Sequence, residues 1–158
     1  MIHGFVGAGK TTFAKKLEKD IKATRFSTDE WMAVLYGQAT PEDAWSREQY
    51  DDKEKKIKTL IWRIAESTLR AGGDIILDFG FWRRPERDGV RALAKKLGVD
   101  TKLYVLQSPS DEETKKRVLS RSAALPHDAV YVGEQDIAEF RKRFDPIDPL
   151  TEEHILVS

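Results

Sequence analysis

Gly4-Phe5-Val6-Gly7-Ala8-Gly9-Lys10-Thr11-Thr12 is the stretch that decides the fold of this chain. It fits the spacing G-x-x-x-x-G-K-[ST] at every fixed position, and each fixed residue has a physical task. Glycines reach backbone angles closed to other residues, so successive N–H groups can turn inward towards anionic oxygens. A helix opening at Lys10 adds the positive end of its dipole at the same place. The Lys10 ammonium can reach the β- and γ-phosphates of a nucleotide, and the Thr11 hydroxyl is suited to magnesium. Thr12 can hold an α-phosphate oxygen. Gly7, Ala8, Gly9, Lys10, Thr11 and Thr12 are therefore expected to cradle ATP with Mg2+. The bland alternative is a glycine-rich turn that only caps a helix. The setting, between a strand and an amphipathic helix, favours the cradle.

Outward from the loop, strand and helix signals alternate, which is the pattern of an α/β protein with a parallel sheet. A very short strand, Met1–His3, runs straight into the loop. Lys10–Lys22 reads as a helix with Phe13, Leu17 and Ile21 on one face. Thr24–Ser27 reads as a strand, followed by a short helix from Glu30 to about Tyr36, stopped by Gly37. Ser46 and Gln49 form a capping-box pattern that opens a long helix ending near Gly72. Its expected buried stripe is Ile57, Leu60, Ile61 and Ile64, with the Asp51–Lys58 charge run solvated. Asp74–Phe79 is an apolar strand with Asp78 near its end. Pro85 suits the first turn of a helix that buries Val90, Leu93, Ala94 and Leu97 and stops at Gly98. Thr101–Leu106 is a strand, and Ser110 with Glu113 caps the next helix. Ala123–Val132 reads as a loop, Glu134–Phe144 as a helix and His154–Val157 as a last strand. Five strands with intervening helices make a three-layer sandwich in one domain, 1–158. Ligands on such sheets bind beyond the carboxyl ends of the strands.

The 158 residues include 27 basic and 27 acidic side chains, so no global field attracts a polyanion. With 40% hydrophobic residues the chain can bury a normal core. Cysteine is absent and the three histidines are scattered, so neither disulfides nor a thiolate zinc site is expected. No apolar run approaches the roughly 18 residues that span a membrane, and no secretory signal pattern opens the chain. A cytoplasmic setting is the simplest expectation.

Further residues bear on what is done with the nucleotide. Asp29, in Ser27-Thr28-Asp29-Glu30-Trp31, can accept a proton from an acceptor hydroxyl beside the γ-phosphate; otherwise it caps the helix that follows. Asp78 fits an acid that holds magnesium through water or orients the acceptor; otherwise it is a strand-terminal turn residue. Arg117 and Arg121 share a helix face at i, i+4. They serve adenine and phosphates in one reading and pair with Asp111, Glu112 or Glu113 in the other. Arg141 and Arg143 are weaker candidates for the same task. Phe79 and Phe81 are read as core. Trp82 and Arg83 are read as acceptor-pocket wall, and Arg83, Arg84 and Arg87 as anion readers or as partners of Glu86 and Asp88. Trp31 and Trp45 lie where an acceptor-covering segment belongs. The N-K-x-D pattern of guanine readers is missing, which disfavours a GTPase.

The loop Gly4–Thr12, the turn Ser27–Trp31, the run Leu77–Arg84, Arg117-x-x-x-Arg121 and the tail Phe144-Asp145-Pro146 together carry a resemblance. The chain resembles the small AAA-type P-loop kinases, relatives of the bacteriophage polynucleotide 5′-kinase domain, gluconate kinase, chloramphenicol phosphotransferase and zeta toxins. The resemblance spans nearly the whole chain. It implies a sheet in the order 2-3-1-4-5 and Asp29 as general base. It also implies Arg117 and Arg121 as lid-helix arginines, with Arg121 stabilising charge on the transferring phosphoryl group. Two features depart from the family: the first strand is of minimal length, and Ser122–Gly133 leaves little room for a separate lid. The expected activity is ATP-dependent phosphoryl transfer to a hydroxyl of a small acceptor. Catalysis would rest on Lys10, Asp29 and Arg121, magnesium on Thr11 and Asp78, and the acceptor on Asp29, Trp31, Asp78, Trp82 and Arg83. A polynucleotide 5′-hydroxyl kinase and a non-transferring ATP-binding regulatory or toxin module stay open as alternatives.

Overall fold

The computed structural model describes residues 1–37, 46–107, 110–124 and 131–157. Trp45 and the middle of the expected 123–132 loop lie outside the described residues. In chain order the elements are β1 (Ile2–His3), α1 (Lys10–Ile21), β2 (Thr24–Ser27), α2 (Thr28–Tyr36), α3 (Arg47–Arg70) and β3 (Ile75–Asp78). They continue as α4 (Arg84–Leu97), β4 (Tyr104–Leu106), α5 (Asp111–Ala124), α6 (Glu134–Lys142) and β5 (Ile155–Val157). All described pairings are parallel.

The strands pair as two blocks, β1-β4-β5 and β2-β3, rather than as one continuous five-stranded ladder. A single parallel bridge, His3 to Gly80, links the blocks among the described residues. The reason is local. β1 is two residues long, and Gly80 (φ 79°) and Phe81 (φ 45°) turn the chain out of strand geometry directly after β3.

Alternation along β3 sends Leu77 and Ile76 to opposite faces. Leu77 joins Phe26, Met32, Ile57, Ile61, Ala65 and Phe81 under α2 and α3. Ile76 joins Ile2, Ala14, Ala23 and Leu106 under α1. Helices thus cover both faces. A third cluster, Phe5, Val6, Val118 and Val132 with Trp82, Phe140 and Phe144 against it, packs the glycine loop onto α5 and α6.

Three expected helix details change. Ile21, at the end of α1, keeps 45% of its surface. α3 buries Ile57, Ile61 and Ala65 at four-residue spacing, while Leu60 and Ile64 keep 47% and 46% of their surface. The stripe facing the sheet is narrower than the full apolar repeat. α2 begins at Thr28 rather than Glu30, because Ser27 is its N-cap and its hydroxyl accepts the Glu30 N–H at 3.4 Å.

The largest departure is Arg87. It is neither an anion reader nor a partner of Glu86 or Asp88. Its side chain and that of Glu152 have no accessible surface and form a two-pronged pair at 2.8 and 2.7 Å. The other guanidinium donor, Nη1, reaches the carbonyls of Phe81 (3.0 Å), Trp82 (3.2 Å) and Asp145 (3.3 Å). Arg91 adds a second cation on Glu152 at 3.1 Å. Glu152 lies just under the surface, sealed by these arginines. Their hydrogen bonds lower its carboxyl pKa from 4.5 to about 2. His3 is buried beside this pair, with Nδ1 2.9 Å from the Phe81 carbonyl and its ring stacked on Phe144. A carbonyl partner requires Nδ1 to carry the proton. Burial, chiefly, lowers the His3 pKa from 6.5 to about 4.

Both groups make stability fall in acid, through different windows. The fold selects neutral His3, so that contribution is complete above pH 6.5 and lost as pH falls from 6.5 through 4. It selects ionised Glu152, a contribution lost from 4.5 towards 2. The raised pKa of Asp78 acts in the opposite direction between about pH 6 and 4, so the His3 contribution is read by comparison. In thermal unfolding scans His3→Phe should lose less stability than wild type as pH falls from 6.5 to 4. Glu152→Ala strands Arg87 in the interior and should destabilise by about 3–5 kcal/mol at pH 7. A loss below about 1 kcal/mol, the level of a surface pair, would contradict the buried-pair reading.

Candidate functional site

β1 delivers the chain to Gly4, where a side chain would meet the Leu106 carbonyl at 3.2 Å, so the loop leaves the sheet pressed against β4. Gly7 (φ 79°) and Gly9 (φ 86°) take the left-handed angles the loop requires. Gly9 is the N-cap of α1 and offers no side-chain hydrogen bond, and no acid stands in the first turn. The first N–H groups of α1 are therefore left for an external anion. Phe5 and Val6 point away from that anion site into the third cluster.

Lys10 returns over the loop and donates to the Phe5 carbonyl at 2.9 Å. Desolvation lowers its pKa to about 8, opposed by the charges of Asp78 and Asp29. Asp78 is buried at the end of β3, in register with Ser27 of β2. Desolvation raises its pKa to about 6; Asp29 adds to this, whereas Lys10, Arg25 and the Thr11 hydroxyl oppose it. Its Oδ2 is buried without a hydrogen-bond partner.

Asp29 stands at the second position of α2. Because Ser27 occupies the cap, the capping alternative for Asp29 falls away. Asp29 keeps accessible surface, so its desolvation comes from the protein around the cleft rather than from closure over it. That desolvation raises its pKa, against the pull of Lys10, Arg121 and Lys58. Lys10, Asp29, Asp78 and Arg121 thus share one electrostatic field.

The two arginines of α5 separate. Arg117 pairs with Glu113 on the exposed surface. Arg121 has no ion-pair partner among the described residues and acts on both Lys10 and Asp29. Arg141 lies 3.9 Å over the Phe5 ring and pairs with Asp111. Ala8 and Thr12 stay at the loop and first turn, and Thr12 is exposed.

The expected acceptor residues are not brought together as one wall. Trp31 is half-buried, edge-on to Phe26 at 6.2 Å. The Trp82 indole turns to the glycine loop instead: Nε1 donates to the Gly4 carbonyl at 3.0 Å, and the ring lies between Phe5 and Phe140. Arg83 is exposed at the head of α4, where its N–H meets Glu86 at 3.3 Å. Arg84 pairs with Asp88 and Asp148 at 3.5 and 3.6 Å. Phe81 is core, and Phe79 is half-buried with the Lys58 ammonium 5.9 Å above its ring. Lys58 is therefore turned inward from the solvated charge run.

Sequence reasoning missed Gly80, Arg25 and Lys58. Gly80 carried a readable signal, an isolated glycine at a strand end. Lys58 pairs locally with Glu54 at 3.1 Å, but its approach to Phe79 and the partners of Arg25 come from other elements and carry none.

A family model described as an AAA domain matches residues 1–147. The chain belongs to the AAA domain family. This AAA domain is similar in structure to a candidate kinase from Chloroflexus aurantiacus, with TM-score 0.73 and 20% identity, over 99% of this chain and 84% of that one. It is also similar to Chaetomium thermophilum Kti12 in complex with ADP-AlF3, with TM-score 0.66 and 14% identity, over 99% and 87% of the two chains. Identities this low speak for the fold alone. No curated protein matches the sequence. Among the described residues no helix is long and apolar enough to cross a membrane.

In this AAA domain Gly80 has the least room. A Cβ there would stand 2.9 Å from Trp82 Nε1 and 3.5 Å from Lys10 Cε, at a backbone angle that disfavours any side chain. Gly80→Ala should therefore break the Trp82–Gly4 bond and lower nucleotide affinity. Trp82→Phe, which loses that bond and keeps a ring, should lower affinity about fivefold, near 1 kcal/mol. Calorimetric titration with ATP checks both. Wild-type affinity in Gly80→Ala would show that the contact has no bearing on the loop.

Proposed function

We propose that this AAA domain is a P-loop kinase that moves the γ-phosphoryl group of ATP to a hydroxyl of a small acceptor. The observation that carries the reading is the shared field of Lys10, Asp29, Asp78 and Arg121 beside an anion-ready helix start, with Asp29 free of the capping role. In keeping with it, the Kti12 structure holds ADP-AlF3. The residues present also fit magnesium: Asp78 offers a buried oxygen without a hydrogen-bond partner, and the Thr11 hydroxyl lies beside it. Thr11 and Asp78 would hold the ion, which supplies charge neutralisation on the phosphates.

The chain's own residues then have distinct tasks. Backbone N–H groups of Gly7–Thr12 bind the triphosphate. Asp29, its pKa raised, takes the acceptor hydroxyl proton as that oxygen bonds to the γ-phosphorus and the bond from phosphorus to the ADP oxygen breaks. Lys10 and Arg121 neutralise charge on the phosphoryl group in flight. In this reading Arg117 serves the nucleotide only after leaving Glu113. Trp31 is the aromatic nearest Asp29 in sequence and would contact the acceptor, with Arg83 at its rim. The two strand blocks are halves of one sheet in the order 2-3-1-4-5, joined at the His3–Gly80 bridge, within a single cytoplasmic domain.

Incubation with γ-labelled ATP and a panel of hydroxyl acceptors, read by mass spectrometry, should find a phosphorylated product. Asp29→Asn should keep ATP binding and slow transfer by about 10²–10⁴-fold. Lys10→Ala should lose both. Wild-type transfer by Asp29→Asn would remove the base from the mechanism. A wild type that binds ATP and labels nothing would favour a nucleotide-dependent binding module.

A further inference from the structure

Arg25 lies on β2, outside the glycine loop, and nothing in the mechanism above uses it. Yet its guanidinium is the meeting point of three elements. The side chain is nearly closed to solvent at 8% exposure, and Nη1 lies 3.6 Å from Asp78 Oδ2. Nη2 grips both oxygens of Glu30 at 2.8 and 2.7 Å, and Nε reaches Glu18 of α1 at 3.2 Å. Lys15 of α1 closes the ring on Glu30 at 3.3 Å.

Two details separate this from an ordinary structural ion pair. First, Nη1 of Arg25 and Oδ2 of Asp78 are both buried and neither has a hydrogen-bond partner. At 3.6 Å the pair attracts without a formed bond, so the guanidinium steadies the carboxylate while leaving its oxygen able to accept elsewhere. Second, Glu30 is the residue after Asp29. The grip on Glu30 therefore fixes the first turn of α2, on which Asp29 stands. One planar fork thus links Asp78 to the turn that carries Asp29 and ties both to α1, the helix that carries Lys10.

We infer that Arg25 is a positioning residue that holds Asp78 and the Asp29 turn at a set separation behind the phosphate cradle, leaving Asp78 Oδ2 available to magnesium. This rests on the kinase reading for the roles of Asp78 and Asp29. A lysine cannot replace the fork, because one ammonium cannot hold Asp78, both Glu30 oxygens and Glu18 in fixed directions.

The test compares wild type, Arg25→Met and Arg25→Lys by calorimetric titration with a non-hydrolysable ATP analogue, with and without magnesium. The readout is the ratio of the two affinities. Both variants should keep magnesium-free affinity while losing about tenfold or more of the magnesium enhancement, as outer-shell partners of a metal site do. Thermal scans establish that each variant is folded; if Arg25→Met does not fold, Arg25→Lys decides. Folded variants with the wild-type ratio would reduce Arg25 to a support of the core and overturn the inference while leaving the kinase reading intact. A wild type without magnesium enhancement would overturn both.

Discussion

The pair Arg87–Glu152 is the constraint on which the rest of the structure depends. Sealing two charges away from water is unfavourable by several kcal/mol per ion unless their remaining hydrogen-bonding capacity is met. Here the guanidinium meets it by gathering the carbonyls of Phe81, Trp82 and Asp145 around itself. Those carbonyls are the exit of β3 and the start of the C-terminal tail. The same Phe81 oxygen accepts from His3, the residue that precedes the glycine loop, and the Trp82 indole donates to Gly4 inside it. Rigidity thus passes from residue 152 to residue 4 in a few bonds. The tail from Asp145 to Glu152 is therefore part of the loop's support.

A second tension is electrostatic and belongs to chemistry rather than stability. Two carboxylates with raised pKa values stand around a lysine whose own pKa is lowered. Groups shifted in opposite directions within one cleft are what a polyanion with a counter-ion would relieve. The exposed pairs of α3, Asp52 with Lys56 and Glu66 with Arg70, contribute little beside this, since solvent screens them.

Much of this was readable before any coordinates. The loop, the two caps at Ser46 and Ser110, and the stops at Gly37 and Gly98 stand where local rules place them, because each depends on neighbours within four residues. Asp29 was ambiguous because aspartate is itself a good helix cap, and the Ser27 hydroxyl that accepts the Glu30 N–H removes that alternative. What stayed hidden depends on distant partners. Arg87 reads as a surface cation beside Glu86 and Asp88, since its true partner is at 152. Trp82 reads as an exposed pocket wall, since Phe5 and Phe140 come to it from two other elements. The break between the strand blocks follows from positive φ at Gly80 and Phe81, of which only the glycine is legible.

The most direct measurement is a crystal structure with magnesium and a non-hydrolysable ATP analogue. We expect the β- and γ-phosphates within hydrogen-bonding distance of the N–H groups of residues 7–12, and the Lys10 ammonium moved from the Phe5 carbonyl onto the phosphates. A triphosphate bound elsewhere, with Lys10 still on Phe5, would contradict the role assigned to the loop.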